Sequence, residues 1–297
     1  MSQIPVISVG MPVYNGEGYL EAAIRAVLEQ TFDDFELIIS DNASTDRTAE
    51  ICNDFAASDS RVRFSRNPDN IGAAANYNRV FELARGPYFR WMNADDSCMP
   101  TLHALCLKAL EENRDAVLAY GKTAIMDQEG KILEAYDDNL DLRQPTAKER
   151  YQEFFAGVGL TNAIYGLMRT AVVASTGRMR NGSFPAADIN FMAELTLYGK
   201  FIELPEQLFY RRMHPQSSSW QRDDDEIQQT FWTGQGDSFR WPNWKKYLDH
   251  MQAVRHAPLG QVEKLSLQGH LLRRMMWSRQ ALLQDIFLEF RRLGGQS

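Results

Sequence analysis

Two adjacent carboxylates, Asp95 and Asp96, follow a strand-like run that closes on Trp91-Met92-Asn93-Ala94. A carboxylate pair at a strand end suits a hard divalent cation, and such a cation commonly takes its remaining ligands from phosphate oxygens. Two more polar clusters lie upstream, each closing an apolar run. They are Pro12-Val13-Tyr14-Asn15, with Glu17 just behind, and Ser40-Asp41-Asn42-Ala43-Ser44-Thr45-Asp46. Three clusters at successive strand ends imply one ligand-binding edge of a sheet. Asp41, directly after Leu37-Ile38-Ile39, can accept from a base imide or a ribose hydroxyl there. Asn70-Ile71-Gly72 opens a helix whose first amides can face a diphosphate, and Asn76, one turn in, is expected to touch the ligand. Two later residues join the candidates: Asp188, at the start of a helix, and His214, in a Pro-fixed turn after a strand. The plainer readings are N-capping for Asp188 and a structural histidine for His214.

The elements that position these residues alternate. Strands are predicted at 5–11, 36–40, 62–66 and 88–92, and helices at 19–30, 46–57, 71–84 and 102–112. This order means an α/β fold, a mostly parallel sheet with helices on its faces, and ligands of such sheets sit at the carboxyl ends of the strands. Beyond residue 117 the pattern changes. A hairpin turns near Glu129-Gly130, helices lie near 149–156 and 188–198, and a strand pair or edge strand spans 201–212. A polar linker, 217–228, precedes a helical tail from about Trp244, in which 271–292 reads as one helix.

Composition excludes several classes. A net charge of −7 argues against nucleic acid as a partner. From Lys245 onward nine Lys or Arg face four Asp or Glu, a local +5 that leaves −12 for the rest. Cys52, Cys98 and Cys106 have no metal-like spacing and read as free thiols of a reducing compartment. With no leader pattern and no long apolar run, a cytoplasmic location is expected. Neither G-x-G-x-x-G nor a Walker sequence follows the first strand, which disfavours nicotinamide and P-loop chemistry.

Taken in order, Pro12-Val-Tyr-Asn, Ser40-Asp-Asn-Ala-Ser-Thr-Asp, Asn70-Ile-Gly, Asn93-Ala-Asp-Asp, Asp188 and Tyr210-Arg-Arg-Met-His-Pro-Gln-Ser resemble the family 2 glycosyltransferases. These are inverting, nucleotide-sugar-dependent enzymes of the GT-A fold, and the resemblance covers roughly residues 4 to 220. It implies a GT-A-like catalytic domain over 1–220, with 1–115 holding the nucleotide sugar and 116–220 the acceptor. A linker and a helical C-terminal extension would fill 221–297. It further implies that Tyr14, Glu17 and Asp41 hold the nucleoside, with Pro12, Asn15, Asn70, Asn76, Asn93 and Asp95 completing the donor site. Asp95, Asp96 and His214 would hold Mg2+ or Mn2+, and Asp188 would be the catalytic base. The family's usual first acid is Asn93 here, and its Glu-Asp pair is Ala187-Asp188.

The implied reaction moves a sugar from a nucleoside-diphosphate sugar to a hydroxyl of a glycan or lipid-linked acceptor, with inversion, in glycan or polysaccharide biosynthesis. The competing readings are a catalytically silent nucleotide-sugar-binding scaffold, a metal-dependent nucleotide-sugar hydrolase, and a nucleotidyltransferase. The last lacks its Gly-rich phosphate loop here. The apolar tail is expected to pack on the catalytic domain or on a second subunit. Weak docking on the inner face of an anionic membrane through Arg273, Arg274, Arg279, Arg291 and Arg292 is the alternative. The interspersed Asp285 and Glu289 favour protein contact.

Overall fold

The computed structural model describes residues 4–180, 187–215, 217, 225–234 and 240–293. Strands β1 (Ile7–Val13) and β2 (Phe35–Asp41) are buried at every position. Unbroken apolar runs are what a strand covered on both faces requires. Between them lies α1 (Leu20–Leu28), which turns Leu20, Ala23, Ile24 and Val27 inward at helical spacing. Helix α2 (Thr48–Ser58), strand β3 (Val62–Arg66), helix α3 (Ala73–Glu82) and strand β4 (Tyr88–Trp91) complete the first half. The expected strands and helices of this half are all present, within a few residues of their predicted limits.

The second half runs through β5 (Ser97–Cys98), α4 (Leu102–Glu112), β6 (Ala116–Met126) and β7 (Ile132–Tyr136) to α5 (Ala147–Gly157). A 3-10 turn at Asn162–Tyr165, β8 (Leu167–Arg169), α6 (Thr170–Ser175), α7 (Ala187–Leu195) and β9 (Lys200–Arg212) follow. The sheet order is β3-β2-β1-β4-β8-β6-β9-β5, with β7 on β6. The pairs β3–β2, β2–β1, β1–β4 and β6–β9 are parallel. The other four, β4–β8, β6–β8, β6–β7 and β5–β9, are antiparallel. The fold is thus GT-A-like α/β, parallel in its first half and mixed beyond. Residues 201–212 do not form a strand pair or an edge. They are one long strand held between β6 and the two-residue β5, a role their length of apolar sequence did not disclose.

Strand β1 lies between β2 and β4, so the order in which strands are added reverses there and leaves a crevice at the strand ends. Pairing of β1 with β4 stops at Gly10↔Trp91, while pairing with β2 continues to Val13↔Asp41. The strands therefore part where the polar clusters begin. Gly10 lets α3 close on β1, because a Cβ there would stand 2.7 Å from Val80 Cγ2.

Four helices close the chain: α8 (Asp225–Thr233), α9 (Pro242–His256), α10 (Gln261–Trp277) and α11 (Arg279–Leu293). The linker expected at 217–228 falls largely outside the described residues. The single helix expected over 271–292 is broken at Ser278, which ends α10 with φ −89° and ψ 15°. Leu267 and Leu271 of α10 enter the same apolar core as Phe191 of α7 and Phe154 of α5. The extension is thereby continuous with the helix that carries Asp188. Among the described residues no helix is long and apolar enough to cross a membrane.

Candidate active site

The loops after β1 and β2 are fastened to each other. The Thr45 amide donates to Asn15 Oδ1 at 2.8 Å, and the Asn15 amide donates to Ser44 Oγ at 2.8 Å. The Arg47 amide donates to Glu17 Oε2 at 2.9 Å, and the Glu17 amide to Asp46 Oδ2 at 3.1 Å. Asn15 and Ala43 have φ of 49° and 62°, a left-handed backbone that asparagine tolerates better than most residues. This lacing leaves the Tyr14 ring 50% exposed at the crevice.

Asp41 is fully buried at the end of β2. Its Oδ1 accepts from the Ser44 amide at 2.9 Å, and its Oδ2 lies 3.3 Å from Arg66 Nε without a hydrogen-bond partner. Below it, four amide side chains form a closed network. Asn42 Nδ2 donates to Asn70 Oδ1, Asn67 Nδ2 to both Asn42 Oδ1 and Asn76 Oδ1, and Ser40 Oγ to Asn76 Oδ1 at 2.7 Å. Asn76 Nδ2 in turn donates to the Ser40 carbonyl. Asn76 is therefore a buried brace that ties α3 to β2, and the expectation that it touches ligand is corrected. Asn70 Oδ1 is likewise committed, to Asn42 and to the Gly72 amide. The start of α3 is covered by the end of α8: a Cβ on Gly72, at φ +80°, would stand 2.5 Å from the Thr233 carbonyl carbon. Pro12 is buried in β1 beside Ser40 and shapes the strand rather than the crevice surface.

Behind β4 the two acids face different ways. Asp96 is buried, with Oδ1 accepting from the Arg212 amide at 2.8 Å and Oδ2 from Asn93 Nδ2 at 2.9 Å. Burial pushes its pKa up to about 7, aided by the charge of Asp95 and opposed by Arg211 and these hydrogen bonds. Asp95 is 28% exposed at its side chain and places Oδ2 3.0 Å from His214 Nε2. His214 is buried, its carbonyl held by the Ser217 amide and hydroxyl, with Nδ1 unpartnered.

This geometry tests whether a divalent cation fits. Octahedral ligands about 2.1 Å from a cation stand about 3.0 Å apart, and Asp95 Oδ2 and His214 Nε2, hydrogen-bonded to each other at 3.0 Å, are near enough to share one. Among the described residues no group of three or more Asp, Glu, His or Cys is gathered as a cage. Two protein donors with the rest left to phosphate and water is how magnesium and manganese are usually held. The fit is to Asp95 and His214. The expectation that Asp96 is a direct ligand is corrected, because both of its oxygens are turned inward and already bonded.

Asp188 opens α7, with Oδ1 accepting from the Ile189 amide at 2.9 Å. Residues 183–186 of its motif lie outside the described residues. Burial raises its pKa, against the pull of that amide and of Arg211. Arg211 links the two sides of the site. Burial works against its charge, yet Tyr165, Asp96, Asp188 and Asp138 together hold its pKa above the ordinary value. Its Nη1 donates to the Leu160 carbonyl at 3.1 Å and to Asn162 Oδ1.

Sequence reasoning missed Arg211, Tyr77 and Tyr165. Asn93, between the strand and the acids, binds both tyrosines: its Nδ2 donates to Tyr165 OH at 2.7 Å and its Oδ1 accepts from Tyr77 OH. The signal for Arg211 was available, since an arginine at the end of a strand that leads to a ligand edge needs acceptors there. Nothing in the local sequence marks Tyr165.

Comparison with known proteins identifies the family. The family model for glycosyl transferase family 2 matches residues 8–172. An uncharacterized glycosyltransferase of Methanocaldococcus jannaschii is 34% identical over 134 residues, 44% of this chain and 46% of that protein. The chain thus spans about half the length of that relative. Among solved structures, S. aureus TarS in complex with UDP-GlcNAc is similar with a TM-score of 0.64 at 16% identity, over 91% of this chain and 72% of the other. A mannosyltransferase from Pyrobaculum calidifontis, in complex with GDP-Man and Mn2+, is similar with a TM-score of 0.56 at 12% identity, over 100% and 89%. At such identities the likeness is one of fold, whereas the family match runs from β1 into α6, taking in the ends of β1, β2 and β4 and stopping short of Asp188 and His214. On that match the chain belongs to glycosyl transferase family 2.

Proposed function

We infer that this protein transfers a sugar from a nucleoside-diphosphate sugar to an acceptor hydroxyl with inversion, assisted by a divalent cation, in glycan or polysaccharide biosynthesis. The observation that carries the reading is the pairing of Asp95 with His214 at 3.0 Å behind β4, beside Asp96, whose charge acts on Arg211 together with that of Asp188. The TarS and mannosyltransferase neighbours were solved with nucleotide sugars, which supports a donor of that class.

In this reading the exposed Tyr14 ring and Asp41, whose Oδ2 is an unsatisfied acceptor, receive the nucleoside. Asn15 and Glu17 act by holding the β1 and β2 loops together, so the cradle is formed before ligand arrives. Asp95 and His214 would hold Mg2+ or Mn2+, the imidazole favouring manganese. When bound, that cation supplies Lewis-acid stabilisation of the charge developing on the departing diphosphate. Asp96 and Asn93 orient the turn that presents Asp95. Asp188 accepts the acceptor's hydroxyl proton as the new bond to the anomeric carbon forms, a role worth about 10²–10⁴-fold. Burial raises its pKa and so makes it the stronger base, with the charge of Arg211 working against that rise. One displacement inverts the anomeric centre, so an α-linked donor gives a β-linked product. The donor half is 1–115, the acceptor wall lies within 137–187, and the helical extension buttresses α7 from behind.

A panel of nucleotide sugars assayed by thermal shift with manganese tests this. The cognate donor at 100 times its Kd should stabilise the protein by about 2.7 kcal/mol. If no nucleotide sugar moves the transition with or without manganese, the reading fails. A donor that shifts the transition but is only hydrolysed, with acceptors present, would identify a hydrolase instead.

A further inference from the structure

The two last helices have two apolar faces where one suffices. The inward face, Leu267, Leu271 and Leu282, packs toward α9 and the core. The outward face carries Val262, Leu265, Leu272 and Met276, at spacings of three, seven and four, then Trp277, Leu283, Phe287 and Phe290 across the Ser278 break. Trp277 is 74% exposed and Phe290 69%. On α11 the outward residues border a shallow apolar groove between Leu283, Phe287 and Phe290.

The charges settle what such a face can meet. Residues 261–291 contain three acids, and all are turned to the protein. Glu263 accepts from the Ala147 amide, Asp285 accepts from the Asn243 and Trp244 amides at the start of α9, and Glu289 pairs with Arg240. Asp285 and Glu289 thus make the protein contact expected of them, within the chain itself, and leave the outer face without their charge. Asp285 is an N-terminal anion for α9, and both are about 95% buried. Arg274 also turns inward, over the Phe155 ring. What remains outward among the described side chains is Arg273, Arg279 and Arg291, set among aliphatic and aromatic residues and uncompensated by any carboxylate.

We propose that the outward face of α10 and α11 docks on an anionic lipid bilayer, lying in the headgroup plane. Tryptophan, phenylalanine and leucine beside arginine, on a helix face free of acids, is the composition that partitions to such an interface. A second copy of the chain fits worse. Related by a two-fold axis, it would bring the same arginines toward one another with no outward acid on either helix to pair them. The proposal stands apart from the reading of the catalytic site, since none of these residues lines it.

The test uses the full chain with vesicles of phosphatidylcholine alone, or of phosphatidylcholine mixed with phosphatidylglycerol, read by co-sedimentation and tryptophan emission. Partition to the anionic vesicles is expected, with a blue shift that Trp277→Phe removes. Replacing Arg273, Arg279 and Arg291 together by Gln should weaken partition by about a hundredfold, with circular dichroism and nucleotide binding unchanged. Phe287→Ser with Phe290→Ser should abolish what binding survives in high salt. Equal partition to both vesicle types, or to neither, overturns the proposal. So does a dimer that the two Phe→Ser changes convert to monomer while vesicles are ignored.

Discussion

Behind β1 and β2 the loops hold each other by hydrogen bonds running in both directions, Asn15 with Ser44 and Thr45, Glu17 with Asp46 and Arg47. Behind β4 the arrangement is electrostatic instead. Asp95 and Asp96 are adjacent, Asp96 is driven up to about 7, and one buried arginine, Arg211, serves Asp96, Asp138 and Asp188. The first region is complete without a ligand. The second gathers negative charge that its own cations only partly balance, a state that a bound cation and its phosphates would finish. In the proposed reaction a hydrogen-bonded cradle beside an acidic strand end would divide the labour between positioning and charge stabilisation.

That division predicts graded effects. Asp95→Asn should cost most, on the order of a thousandfold in turnover with the cognate donor, while thermal stability without ligand is unchanged or raised as repulsion with Asp96 falls. Unimpaired turnover in chelator would remove the cation from the account. Asp188→Asn should lower kcat by at least about a hundredfold with donor affinity intact. Loss of donor binding with kcat preserved at saturation would make Asp188 a helix cap.

Below the cradle, Glu36 is buried and bonded to Ser8, Arg63 and Arg85. Burial pushes its pKa up, but these three partners outweigh it and the net shift is downward. A carboxylate with a lowered folded pKa contributes stability above its unfolded value and loses it as pH falls through the folded value. Glu36→Gln should therefore destabilise by about 2 kcal/mol at neutral pH, less than a fully buried pair because both arginines reach solvent, and should flatten the acid limb of the stability curve. An unchanged acid limb in urea titrations would refute the linkage. The smallest effect belongs to the cradle itself. Glu17→Gln weakens one backbone hydrogen bond, so donor affinity should fall only about fivefold, from roughly 1 kcal/mol, with kcat untouched.

Much of the first half is legible in the sequence because its strands are short, β-rich runs, those of β1 and β2 largely apolar and closed by polar residues. The runs of β1 and β2 bury on both faces, so pattern and position agree there. The second half resists reading because β8 is only three residues and β9 is held by partners far away in sequence. Within the site, residue type pointed to Asp95, Asp188 and His214, but adjacency could not say which of two acids faces outward. That is decided by the Arg212 amide and Asn93, which take both oxygens of Asp96. Asn76 misled for a related reason: an amide one turn into a helix at a ligand edge looks the same whether it faces ligand or, as here, Ser40 beneath.

The most direct measurement is manganese binding by electron paramagnetic resonance, in the presence of the nucleoside diphosphate of the cognate donor. The account predicts one bound ion per chain, with affinity at least about tenfold weaker in both Asp95→Asn and His214→Gln, and a smaller loss in Asp96→Asn. Wild-type affinity in the Asp95 and His214 variants, or a loss confined to Asp96→Asn, would contradict it.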